Sequence, residues 1–217
     1  PQTDGWQPLA KMSTARAAFG LAAVGGKVYA IGGWSGSSAL ESVEAYDPQL
    51  GSWALVASMS GKRQEHASVV LDGKIYTMGG RGDGGLLDMV EVYDPQADSW
   101  QRMASMPQGL FAHAAAAMGG KIYVTGGNNG GNAQGASMSS VCVYDPQANA
   151  WTQLANMSVA RHGHASAAVD GKLYVLGGVG SDWVRLNTVE VYDPASDSWR
   201  HESSLTSVQS HSVAVAL

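Results

Sequence analysis

The chain has 217 residues, of which 45% are hydrophobic and 14% charged, with 28 glycines and a formal net charge of −5. At ~100–200 residues per domain this is one large domain or two small ones, and the apolar content excludes a disordered chain. The mild acidic balance excludes a nucleic-acid binder that relies on phosphate attraction, and the single cysteine, Cys142, excludes an internal disulfide and a cysteine-rich zinc site. No apolar run approaches the ~18–20 residues of a membrane helix. The opening Pro1-Gln2-Thr3-Asp4-Gly5 lacks a charged start followed by an apolar stretch, so no secretory signal is expected there. The expectation is a soluble, turn-rich, all-β, cytoplasmic protein.

In chain order, residues 6–12 read as a strand D with no strands A, B or C before it. Four repeats follow, over residues 13–59, 60–106, 107–157 and 158–205, and a partial repeat occupies 206–217. Two tyrosine series set the beat: Tyr29, Tyr76, Tyr123, Tyr174 and Tyr46, Tyr93, Tyr144, Tyr192. Glycine pairs from Gly32-Gly33 to Gly177-Gly178 keep it, as do five tryptophans from Trp6 to Trp199. In the second repeat, residues 67–71 form strand A and Asp72-Gly73 a two-residue hairpin turn that needs positive φ. Residues 74–78 form strand B, β-branched and aromatic, which Gly79-Gly80 ends. Residues 89–93 form strand C, and Asp94-Pro95 opens a turn because proline fixes φ and cannot donate into a ladder. Strand D starts at Ser99-Trp100. One such four-stranded sheet cannot bury both its faces; stacked radially on its neighbours, it can. The final residues, 211–217, read as a strand A whose following turn and strand B are missing.

The Gly-Gly pair, the Val-Glu-Val-Tyr-Asp-Pro run and a tryptophan six residues before a methionine resemble the kelch repeat, over nearly the whole chain. The resemblance implies a single kelch-type β-propeller over residues 1–217, with four complete blades, a leading D strand and a trailing A strand. Six-bladed rings are usual in that family. The expectation is therefore part of such a ring, its remaining blades supplied by further chain or by another subunit; a closed four-bladed ring is the alternative. Most family members are interaction modules and a minority are enzymes.

His66, His113 and His164 lie 13 residues before a glycine pair, where the first repeat has Phe19, and His211 continues the series. A position that accepts Phe is a packing or hydrogen-bonding position at the start of strand A, so no metal site is expected. Cys142 stands in strand C where other repeats have Glu44, Glu91 and Glu190, and is expected to be inert. No tyrosine lies outside the two series, so no copper-oxidase site is expected, and no catalytic residue or cofactor is assigned. A sugar mutarotase and a structural subunit of a larger assembly stay as alternatives to an interaction module. Arg16, Arg63 and Arg161 recur 16 residues before the glycine pairs. They are expected to tie the D–A loop to a neighbouring blade, with ligand contact as the alternative.

Turns alternate ends in an up-and-down sheet, so A–B and C–D turns share one face and B–C and D–A loops the other. The first set is nearly constant and the B–C loops differ, which puts the chemical diversity on one face, where loops on rigid scaffolds usually bind. The expected contact residues are Trp34 and Ser35; Gln64, Glu65, Arg81 and Asp83; Phe111, Asn128 and Asn129; and His162, Ser181, Asp182 and Trp183. Family members that serve as ligase adaptors grip an acidic peptide at matching positions. Here Glu65, Asp83 and Asp182 would repel one, so a neutral or basic protein segment anchored by Trp34 or Trp183 is expected.

Overall fold

The structure is a computed structural model that describes residues 5–131, 136–211 and 214. Its first blade comprises β1 (Gly20–Val24), β2 (Lys27–Ile31), β3 (Val43–Asp47) and β4 (Ser52–Val56). The second comprises β5 (Ala67–Leu71), β6 (Lys74–Met78), β9 (Val90–Asp94) and β10 (Ser99–Met103), with a small hairpin, β7 (Arg81–Gly82) and β8 (Gly85–Leu86), in its B–C loop. β11 (Ala114–Met118), β12 (Lys121–Thr125), β13 (Val141–Asp145) and β14 (Ala150–Leu154) form the third blade. β15 (Ala165–Val169), β16 (Lys172–Leu176), β17 (Val189–Asp193) and β18 (Ser198–Glu202) form the fourth. Every blade is an antiparallel sheet in the order A-B-C-D, and the register repeats: Gly20↔Ile31, Ala67↔Met78, Ala114↔Thr125 and Ala165↔Leu176 are equivalent pairs.

The core lies between blades. Ile31, Val43 and Met59 of the first repeat pack with Ile75 and Tyr93 of the second, and Met78 and Val90 pack with Ile122 and Tyr144 of the third. This is why the third strand of each blade is buried on both faces. The inner strands stand side by side around an axis, β1 against β5, β5 against β11 and β11 against β15, and no comparable packing joins β15 to β1.

The blades are also stapled at their outer edges. Trp100 Nε1 donates to the Ala57 carbonyl of the preceding repeat (2.8 Å), and Asp98 Oδ1 accepts both the Ala57 N–H (2.9 Å) and the Tyr93 hydroxyl (2.7 Å). Trp151, Asn149 and Tyr144 do the same at Ala104, and Trp199, Asp197 and Tyr192 at Ala155. The leading segment joins this scheme. Trp53 Nε1 donates to the Ala10 carbonyl (3.0 Å), so residues 6–12 follow the path of a strand D. Among the described residues no strand C lies beside the segment and it forms no ladder, and in this it differs from the expected leading strand. The expected trailing strand over 211–217 lies outside the described residues, apart from His211 and Ala214.

Candidate partner-binding face

Each B–C loop is held at its root. In blade two the Arg63 guanidinium donates to the Gly79 and Met89 carbonyls (3.2 and 3.1 Å), at the two ends of the loop, and meets Glu91 of β9 at 2.5 Å. Glu91 also accepts the Ser60 N–H (2.9 Å), which closes the D–A connector onto the same node. Arg16 with Glu44, and Arg161 with Glu190, repeat the arrangement at 2.7 Å. Both side chains of every pair are fully buried. The arginines are therefore structural and cannot reach a ligand. Each binds the blade that its connector enters. Burial alone would raise the Glu44 and Glu190 pKa values, but hydrogen bonds from Ser13 and Arg16, and from Ser158 and Arg161, hold both carboxyls below the usual range.

The third blade replaces the whole node. Leu110 stands for the arginine, Cys142 for the glutamate, and Pro107, which has no N–H, for the serine whose N–H the glutamate accepts. Leu110, Cys142 and Pro107 line a small void instead, and burial pushes the Cys142 thiol up to about 12. The thiol is thus inert at neutral pH.

Above these roots, short bridges tie each D–A connector to its B–C loop: Ala17 to Trp34, Gln64 to Arg81, Phe111 to Asn128 and His162 to Val179. A chain of backbone hydrogen bonds then circles the mouth of the axis, from Glu65 to Ala18, Ala112 to Glu65, Gly163 to Ala112 and His211 to Gly163. This fixes the place of His211. It is equivalent to Glu65, Ala112 and Gly163, one position before the histidine series, so the expected continuation of that series is corrected. Spacing could not reveal this, because no later glycine pair sets the phase.

The expected contact residues divide by burial. Trp34, Arg81, Asp83, Ser181, Asp182 and Trp183 are exposed; Ser35, Gln64, Glu65 and Asn129 are half-buried. Phe111, Asn128 and His162 are buried. The Phe111 ring supports the Arg81 guanidinium, which stacks 3.5 Å from its centroid. Asn128 Oδ1 accepts the Gly130 N–H (2.8 Å) and shapes its own loop. His162 Nδ1 lies 2.8 Å from Ser137 Oγ, and its ring meets the edge of Trp183 at 5.4 Å. Burial, then the nearby His211, pushes the His162 pKa down.

Two ion pairs lie on this face. Arg81 Nε lies 3.3 Å from Glu65, and Lys62 lies 3.0 Å from Asp83. Two of the three carboxylates expected to repel an acidic segment are thus neutralised by neighbours that sequence order does not bring together. The opposite face is uniform, each blade presenting one lysine–aspartate pair: Lys27–Asp47, Lys74–Asp94, Lys121–Asp145 and Lys172–Asp193.

The chain resembles known proteins in sequence and in fold. It is 40% identical over 74 residues to an F-box/kelch-repeat protein of Arabidopsis thaliana, covering 34% of this chain and 20% of that protein. It is 41% identical over 61 residues to Kelch-like protein 21 of Danio rerio, covering 28% of this chain and 10% of that one. These matches thus span a fifth or less of the relatives' length. The solved structure of YjhT superposes with a TM-score of 0.86 at 17% identity, covering 99% of this chain and 78% of that one. The KLHDC2/KLHL20/DRC7 Kelch-repeats domain matches twice, over residues 2–127 and 62–216. With the repeating blades and their shared register, these matches make the chain a member of the kelch-repeat family, built as a β-propeller.

Proposed function

We propose that the chain is a protein-interaction module that binds a neutral peptide segment on its B–C/D–A face, anchored by Trp34, Arg81 and Trp183. The observation that carries this reading is Arg81. Its guanidinium is stacked on buried Phe111 and held at Nε by Glu65, yet nearly half of the side chain is exposed. A pre-organised, half-exposed arginine loses little freedom on binding, and arginine and tryptophan dominate interface energy. The pairing of Arg81 with Glu65 and of Lys62 with Asp83 favours a neutral segment over a charged one. The kelch-repeat relatives support the general class.

The test is the combined change Trp34→Ala, Arg81→Ala and Trp183→Ala, followed by recovery of partners from native lysate. The melting temperature should stay nearly unchanged and the recovered partner should be lost. Retention of that partner, with loss only on changing the lysine–aspartate face, would place binding on the other side.

A further inference from the structure

Trp183 rests on a support that spans two blades. The turn from Gly180 to Val184 closes with the Gly180 N–H donating to the Val184 carbonyl (2.9 Å) and the Trp183 N–H to the Gly180 carbonyl (3.1 Å). Trp183 is thereby held at φ +62°, which glycine adopts freely and a bulky residue only under strain. The indole is nonetheless 59% exposed, so its own burial offsets little of that strain. Beneath it lies His162, whose ring it meets edge to face at 5.4 Å. His162 is buried and tied to the third B–C loop, with Nδ1 2.8 Å from Ser137 Oγ. Ser137 Oγ donates to the Val179 carbonyl (3.3 Å). This network assigns Nδ1–H as the donor to Oγ and leaves Nε2 as the atom that takes a proton.

We propose that His162 is the positioning residue of the Trp183 anchor, and that acid withdraws the anchor by protonating His162 and so releases the partner. The proposal rests on the peptide reading of the same face. Among the described residues, the groups around His162 give a proton on Nε2 no counter-ion. Arg161 and His164 lie beside it on its own connector and His211 on the trailing segment. On the fourth B–C loop, Val179 bridges both His162 and Arg185. Arg161 is already paired with Glu190, and Asp182 Oδ1 accepts the Val184 N–H (3.3 Å) inside its own turn. The third B–C loop offers the Ser137 hydroxyl and no charge. A buried imidazolium among cations is costly, and turning out to water takes the ring from beneath Trp183. Burial, and then His211, hold the His162 pKa below 6.5, so the ring is neutral at pH ~7 and the change falls in mild acid. Without its support the strained turn is free to relax, and an anchor that must be ordered on binding contributes less affinity.

The test follows the indole N–H resonances of the isotope-labelled chain from about pH 8 to about pH 5, with Trp183→Phe to assign the Trp183 signal. That signal should show an inflection below pH ~6.5, and the signal of Trp151, stapled to Ala104, should show none. His162→Asn keeps a polar group for Ser137 but does not titrate, and should abolish the inflection in a protein whose circular dichroism is unchanged. Ser137→Ala, which serves if that variant does not fold, should bring the Trp183 signal at about pH 8 toward its acid position. The partner recovered from lysate should leave the native chain at least several-fold faster at about pH 5.5 than at about pH 7.5, and should leave His162→Asn at one rate. No inflection, one shared with Trp151, one that persists in His162→Asn, an unmoved signal in Ser137→Ala, or equal acid release from both chains would overturn the proposal. The titration needs no partner, so its failure is distinct from that of the peptide reading, which fails if the triple variant at Trp34, Arg81 and Trp183 keeps its partner.

Discussion

Arg63 Nη2 lies 2.5 Å from Glu91 Oε2, with both side chains out of reach of solvent. Taking two charges out of water is expensive, and the pair stands because the Gly79 and Met89 carbonyls and the Ser60 N–H occupy further bonding positions around it. The third blade shows that the fold does not require the pair, since Leu110 and Cys142 replace it together with Pro107. Arg63→Leu should cost about 3–5 kcal/mol, because Glu91 is left buried and unpaired. Adding Glu91→Cys and Ser60→Pro to that variant should recover more than half of the loss. Urea unfolding of the single and triple variants measures the difference; additive losses would contradict it.

The glycine after β6 makes a second prediction. Gly79 has φ +62°, and a β-carbon there would stand 2.6 Å from the Leu110 carbonyl oxygen and 2.7 Å from His113 Cε1. Gly73, in the preceding turn, has φ +73° but nothing within 4 Å. Gly79→Ala should cost more than about 2 kcal/mol, whereas Gly73→Ala should cost about 1 kcal/mol, the strain of its conformation alone. Equal thermal shifts for the two would show that crowding at Gly79 is relieved elsewhere.

Acid should weaken the propeller well above the carboxylate range. Burial pushes His113 down to about 4, and His66 and His164 lie well below 6.5 for the same reason. A depressed folded pKa means that the unfolded chain takes up protons first. Stability is therefore full above pH ~6.5 and falls as the pH drops toward 4, by about 2 kcal/mol at pH 5 for His113 alone. Below pH ~4.5 the lowered Glu44 and Glu190 add to the loss. The urea midpoint measured between pH 8 and 5 should fall, and His113→Phe should flatten the slope.

The outer staple predicts a conservative rescue. Asp98 Oδ1 accepts from Ala57 and Tyr93, and Asn149 does the same work in the third blade. Asp98→Ala leaves two donors without their acceptor and should cost about 1–2 kcal/mol. Asp98→Asn should cost less than half as much. A denaturant titration in which the two variants match would mean that the carboxylate charge, not the acceptor geometry, matters.

Sequence alone determined the blades, because turn chemistry and repeat phase are local. Asp72-Gly73, Gly79-Gly80 and Asp94-Pro95 delimit strands whatever lies beyond them, and four copies set one register. The same periodicity placed the loops on opposite faces and marked the arginine and glutamate series. The joint loss of both series in the third repeat was the available sign that Arg63 and Glu91 meet. What only the tertiary structure decided depends on residues far apart in the chain approaching one another. Phe111 passes under Arg81, Glu65 and Lys62 neutralise charges on the next loop, and Asn128 and His162 turn inward, so the exposed face is smaller and less acidic than its composition implies. Burial and pairing are properties of the packed blades, and no local pattern encodes which side chain of a loop tip faces its neighbour and which faces water.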